Sequence, residues 1–313
     1  MSGTATPAAA AKRRAAQGRL LVFAAATLWG TSATLARFVF HDRQVSPFVV
    51  VELRLAFAVM VLGPWLFFTR RDALRVRRED WAYIAILALL GVATVQGSYY
   101  YTISRLGVGL AILLQYLAPA IIVAWGVLRG RAASARTLAS VIAATGGTAL
   151  LVGGVHASAA GARPLDWAVG FASAFFFAFY ILYSKRGLGR YRPETVLFWT
   201  FTIAGAFWAC VTPPWRIAAA GYDRSLWLMF FALGMFSTLV PFTFFYKGLE
   251  RMPAAEASVV ATLEPVVALF SAWAFLGEAL SLRQWFGAAL VLAASLLASA
   301  QDPARPPTPV DCA

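Results

Sequence analysis

The stretch "LEPVVALFSAWAFLGE", Leu263–Glu278, decides how the whole chain must be read. It is almost wholly apolar, yet Glu264 and Pro265 stand side by side near its start. A carboxylate in such a run is costly unless it faces protein or water. A proline inside a helix removes an N–H and bends the chain. A membrane-spanning helix accommodates both, with the bend serving either helix packing or a polar cavity.

The composition agrees. Of 313 residues, 60% are hydrophobic and 13% charged, and the mean hydropathy is +0.70. Soluble domains carry about 25% charged residues, so this chain lacks the groups to cover a water-facing surface. A net charge of +13 would point to nucleic acid in a soluble protein. Here the charge has to be read by position, and no nucleic acid is expected. The expected partners are the lipid bilayer and a small-molecule substrate, with a homodimer left open. Cys210 and Cys312 are the only cysteines, and His41 and His156 lie at the edges of apolar segments. Neither set has metal-ligand spacing, so no metal and no cofactor is expected.

A helix needs about 20 mostly apolar residues to cross a bilayer. Ten such runs occur, at 20–39, 47–68, 81–101, 107–128, 135–154, 166–184, 194–212, 226–247, 253–276 and 281–300. The expected fold class is therefore all-α integral membrane, with ten transmembrane helices. Residues 1–19 form a basic tail, and the Pro-rich residues 301–313 read as a disordered one. The first run is too long for a signal peptide, and more runs follow it.

Lys and Arg concentrate on the cytoplasmic side of membrane proteins. With the N-terminus inside, the inside segments hold 19 Lys and Arg, the outside segments hold 7, and Arg54 lies within a span. Both termini are expected in the cytoplasm, in a multi-pass protein of the cytoplasmic membrane.

The opening stretch also has a twin. "LLQYLAPAIIVAWGVLRGRAASAR" aligns with "VVATLEPVVALFSAWAFLGEALSLR", so that Pro119 falls on Pro265, Leu117 on Leu263 and Ala111 on Ala257. Upstream, Pro47 matches Pro193 and Arg37 matches Lys185. The unit, 20–154 and again 166–300, contains five spans, so its second copy must be inverted in the membrane. Inverted repeats with a site near the midplane mark secondary transporters.

These features resemble the EamA-type transporters of the drug/metabolite transporter superfamily. The residues that carry the resemblance are "LWGTSATLAR" in the first span, Arg54 in the second and "LAP" in the fourth. In the second half they are "LEPVVALFSAWAFLGE" and the Gly-rich tenth span. The resemblance covers roughly residues 20–300. It implies ten helices around a central cavity, with spans five and ten at the periphery. Arg131 departs from it, standing where many relatives carry a glutamate.

Four ionisable residues lie within spans: Glu52, Arg54, Glu256 and Glu264. Glu256 is one turn into its span and can simply favour a helix N-terminus. Glu52 lies near the outer end of the second span, within reach of the interface. Glu264 is about ten residues into its span, near the midplane at 1.5 Å per residue, and Arg54 is its expected charged partner. Pro265 and Pro119 deny the carbonyls of Ala261 and Gln115 a helical donor. Such irregular backbone is tolerated in a membrane only beside protein or a cavity.

Gln96, Tyr99 and Tyr100 share one face of the third span, at i, i+3 and i+4. Gln115 and Tyr116 flank the first kink, and Trp29 and Tyr180 add rings from other spans. The candidate substrate-binding set is therefore Trp29, Arg54, Gln96, Tyr99, Tyr100, Gln115, Tyr116, Tyr180 and Glu264, with Pro119 and Pro265 as kinks. Tyr99, Tyr100, Tyr101 and Tyr246 also suit an interfacial aromatic belt. Gly146, Gly147, Gly153 and Gly154 read as close-packing positions in the fifth span.

The expected function is alternating-access transport of small organic metabolites such as amino acids. Export direction follows from the family resemblance alone. A membrane-embedded enzyme would need clustered acids or histidines, and a channel would need pore loops or charged rings. No such cluster of acids or histidines appears, and the internal repeat favours a self-contained transporter; a channel or a membrane-embedded enzyme is the alternative.

Overall fold

The computed structural model describes residues 7–130, 132–152, 161–276 and 281–299. The expected tail 301–313, residues 153–160 with His156, Gly153 and Gly154, and Arg131, Gly277, Glu278 and Cys312 lie outside them. Among the described residues all regular structure is helical.

The long helices, in chain order, are α1 (Pro7–His41), α2 (Pro47–Thr69), α3 (Arg78–Leu106) and α4. The last has two arms, Val108–Gln115 and Ala118–Leu128. Then come α5 (Ala135–Val152), α6 (Pro164–Leu188), α7 (Pro193–Val211) and α8 (Arg224–Leu249). Helix α9 again has two arms, Ala254–Ala261 and Glu264–Leu276, and α10 spans Leu282–Ser299. Eight of these, α2 to α9, are long and apolar enough to cross a membrane. Helix α10 is a shorter apolar helix. Helix α1 starts at Pro7, well before the span expected at 20–39, because the Ala-rich segment before it is a strong helix former.

Local chemistry sets the helix starts. Pro47, Pro164 and Pro193 each open a helix, where a missing N–H costs nothing. Asp166 accepts from the Arg163 backbone N–H at 2.8 Å and closes the first turn of α6. Asp223 likewise accepts from the Leu226 N–H at 2.8 Å at the start of α8. That bond and the neighbouring Arg43 guanidinium hold its carboxyl below the usual range.

The helices pack in matching pairs across the two halves. Helix α1 lies against α8 and α9, while α6 lies against α3 and α4. Helix α2 lies against α7 and against a π-helical stretch of α8, Gly234–Leu239; α7 in turn meets a π-helical stretch of α3, Leu87–Ala93. The two π stretches fall in the register that aligns Pro119 with Pro265. Helices α5 and α10 pack on each other through Gly147 and Gly287. A methyl group at either glycine would stand 2.8 Å from the other's carbonyl oxygen, so only glycine permits this crossing. Gly146 has no such neighbour.

The ends of the bundle are tied by ion pairs. Asp80, before α3, takes Arg190 at 3.1 Å and the Tyr191 hydroxyl at 2.5 Å, both from the α6–α7 turn. Asp223, before α8, pairs with Arg43 from the α1–α2 turn.

Candidate functional site

The site begins at the two helix breaks. In α4 the backbone shifts to a tighter bond, Leu117 N–H to Leu114 O at 3.2 Å, before the helix restarts at Ala118. In α9 the equivalent bond is Leu263 N–H to Val260 O at 3.1 Å, and the helix restarts at Glu264. Pro119 and Pro265 cause both breaks, since neither can donate to the carbonyl four residues back. Glu264 thereby occupies the first turn of a new arm, where unpaired N–H groups favour a carboxylate. The Tyr116 hydroxyl, from the break in α4, donates to Glu264 Oε2 at 2.6 Å. One hydrogen bond thus joins the two breaks.

Arg54 is fixed by the π-helical stretch of α8. Its Nε donates to Thr238 Oγ1 at 2.8 Å and its Nη2 to the Ser237 carbonyl at 3.0 Å. A π stretch widens the helix and frees such a carbonyl. The guanidinium carbon also sits 5.5 Å from the centre of the Tyr100 ring. No direct ion pair within 4 Å joins Arg54 to Glu264, although the two charges lie near enough to attract one another across the site. Each charge has found its own neutral partners instead, and their remaining hydrogen-bonding capacity faces a shared space.

That space is a cavity with about 640 Å³ of unfilled volume, part of it open to solvent. All nine residues singled out above line it: Trp29, Arg54, Gln96, Tyr99, Tyr100, Gln115, Tyr116, Tyr180 and Glu264. Val92, Val95, Phe177 and Phe242 complete the wall. The aromatic wall is continuous: Trp29 meets Phe242 at 5.1 Å, Phe242 meets Tyr180 at 6.1 Å, and Tyr116 meets Phe177 at 6.3 Å between ring centres. One polar atom on this wall, Gln115 Oε1, is buried without a hydrogen-bond partner. An unpaired buried group of this kind costs about 1–3 kcal/mol, a cost that a bound polar molecule removes.

Three of the four wall residues not foreseen follow from helix geometry, while Phe242 lies on α8, which carries none of the nine. Val92 and Val95 share the α3 face of Gln96 and Tyr99, and Phe177 lies one turn from Tyr180. They carry no polar signal, so only the periodicity could have found them.

Other expected positions resolve differently. Tyr99 and Tyr100 turn to the cavity and Tyr246 is fully buried, its hydroxyl 2.9 Å from Ser184 Oγ, so none of the three belongs to an interfacial belt. Tyr101 does sit at a helix end, donating to Asp166 at 2.8 Å. Glu52 is covered by protein: it is 6% exposed, with Oε2 unpartnered. Glu256 gains a partner, Arg19, at 2.6 Å. Among the described residues no group of His, Cys, Asp and Glu could hold a metal ion.

Fold and site together define a multi-pass membrane protein built around a polar, aromatic-walled cavity. Comparison with known proteins narrows this. A sequence model described as the EamA-like transporter family matches residues 16–153 and again 167–300. The chain belongs to that family. It is 30% identical over 292 residues to the uncharacterized inner membrane transporter YicL of Salmonella typhimurium, covering 90% of this chain and 95% of that one. An uncharacterized transporter of Archaeoglobus fulgidus is 28% identical over 285 residues, with 90% and 96% covered. The uncharacterized transporter YwfM of Bacillus subtilis is 26% identical over 294 residues, with 90% and 93% covered. A solved crystal structure superposes with a TM-score of 0.75 at 21% identity, over 90% of this chain and 96% of that chain. That likeness concerns the fold.

Proposed function

We propose that the protein is a secondary transporter that exports small organic zwitterions, such as amino acids, across the cytoplasmic membrane by alternating access. The observation that carries this reading is that Arg54 and Glu264 face one cavity without a direct ion pair between them. A ligand carboxylate would take the free donors of Arg54, and a ligand ammonium would take Glu264. The aromatic wall suits an apolar body between them, and Gln115 supplies a further polar contact.

The membrane arrangement under this reading is ten spans, with α1 and α10 added to the eight, as two inverted five-helix repeats with cytoplasmic termini. The matched breaks, matched π stretches and doubled family match support the repeat. The Lys/Arg bias supports the orientation, and the family supports export by analogy.

Thermal unfolding of the purified protein against a panel of amino acids tests the ligand class, because a ligand that binds only the folded state raises its melting temperature. Neutral amino acids with apolar side chains should stabilise the wild type and lose their effect in Arg54→Gln. Stabilisation by anions or cations alone, with no zwitterion active, would contradict the assignment.

A further inference from the structure

We propose that the Arg19–Glu256 ion pair, with Lys185 beside it, is a latch that holds the cavity shut toward the Lys/Arg-rich face. The proposal rests on the reading of the cavity as a transport site. Glu256 is 4% exposed, and its Oε1 accepts from Arg19 Nε at 2.6 Å. The two residues belong to α1 and α9, the helices that also carry Trp29 and Glu264 to the cavity. Arg19 stands ten residues from Trp29 and Glu256 eight from Glu264. At 1.5 Å per residue the pair lies roughly 12–15 Å beyond the cavity, toward the basic end.

Helices α1 and α9 also meet beside the cavity itself. A methyl group at Gly30 would stand 2.7 Å from the Glu264 carbonyl oxygen. The two helices are therefore joined at two levels, by packed backbone at the cavity and by an ion pair beyond it. Between those levels α9 is broken at Thr262 and Leu263, so Glu256 rides on the separate arm Ala254–Ala261. Lys185, from α6, donates to the Leu249 carbonyl at 3.0 Å and to that of Met252, on the turn leading into this arm. One cation holds the arm and another holds its approach. Val260 and Ala261, on the α9 stretch between Glu256 and Glu264, are each at most 2% exposed.

The position equivalent to Glu256 in the first half is built differently. In the register that aligns Pro119 with Pro265, the residue matching Glu256 is Leu110, on the α4 arm Val108–Gln115. Leu110 packs with Leu106 and Leu114 against Trp167, an apolar contact. Apolar faces can separate gradually, whereas parting Arg19 from Glu256 leaves a buried carboxylate without its partner. Arg105–Asp166 and Arg43–Asp223 tie the outer ends of other helices, but no ion pair joins the α4 arm at the position equivalent to Glu256 among the described residues.

The test needs no substrate. In a Cys210→Ser, Cys312→Ser background, Val95→Cys places a thiol on the cavity wall. A membrane-impermeant maleimide is applied to right-side-out and inside-out vesicles. The latched protein should label from outside and poorly from the cytoplasmic side. Arg19→Gln and Glu256→Gln should each raise the cytoplasmic-side rate by roughly tenfold, within the usual span of conformational coupling. The double swap Arg19→Glu with Glu256→Arg should restore the low rate. Unchanged cytoplasmic-side labelling in both single variants, with outside labelling retained, would overturn the latch while sparing the transport reading. Labelling from neither side in any variant would overturn both.

Discussion

Glu264 links the two helix breaks to the cavity. Its carboxylate sits on a helix start and takes the Tyr116 hydroxyl at 2.6 Å, yet it still borders the cavity. Tyr116→Phe removes one charge-assisted bond, worth about 1.5–3 kcal/mol, and keeps the ring against Phe177. Ligand affinity should change by about tenfold or more with folding intact, as read by titration calorimetry on the purified protein. Equal affinity would mean that the hydroxyl serves the helix breaks alone. Glu264→Gln should impair uptake into proteoliposomes more than Glu52→Gln does, because Glu52 is buried away from the cavity wall. The reverse order would move the functional carboxyl to α2. Polar residues at mid-span were legible in the sequence because the bilayer makes them expensive, and all nine candidates line the cavity. The absence of a direct Arg54–Glu264 ion pair was not legible. Depth along a helix can be counted from the sequence, but the π-helical carbonyl that takes Arg54 cannot.

At the scale of the element, proline and glycine set the geometry. Pro119→Ala should restore a helical bond to Gln115, straighten α4 and pull Gln115 and Tyr116 away from Glu264. The expected result is weaker transport with a melting temperature equal to or above that of the wild type. Normal transport would reduce the kink to a packing feature. Gly147→Leu should act on stability instead, since any side chain there meets the Gly287 backbone. Overpacking of this kind costs about 1–3 kcal/mol, and detergent-solubilised melting curves would reveal it; Gly146→Leu, which meets no neighbour, serves as control. Asp223 gives a pH-dependent counterpart. Its carboxyl titrates below the usual range because the Leu226 N–H and Arg43 favour the charged form. Its stabilising contribution is therefore present at neutral pH and is lost as pH falls through the folded value. Asp223→Asn should melt with a weaker acid dependence between neutral pH and that value. An identical acid profile would show that the cap contributes nothing. The breaks at Pro119 and Pro265 could be placed from sequence because proline chemistry is local. The π stretches could not, since no residue type marks them.

For the whole molecule, the sequence carried the membrane class, the internal match and the residues around the cavity, because hydropathy and covalent geometry survive without tertiary context. Span boundaries were less legible. Helix α1 runs from Pro7, and α3 continues to Leu106, since good helix formers extend a span into the aqueous layers where hydropathy falls away. The pairing of α1 with α8 and α9, and of α6 with α3 and α4, emerged only from the packing. It sets Trp29 and Glu264 facing Tyr116 and Tyr180 across one space. The central claim is that a small zwitterion crosses the membrane through that space. Counterflow in proteoliposomes tests it most directly, with wild type and Arg54→Gln loaded with unlabelled amino acid and offered the same labelled compound outside. The account predicts saturable uptake, accelerated by the internal substrate in the wild type and strongly reduced in Arg54→Gln. Flux that rises without saturation, or saturable counterflow unchanged by Arg54→Gln, would contradict it.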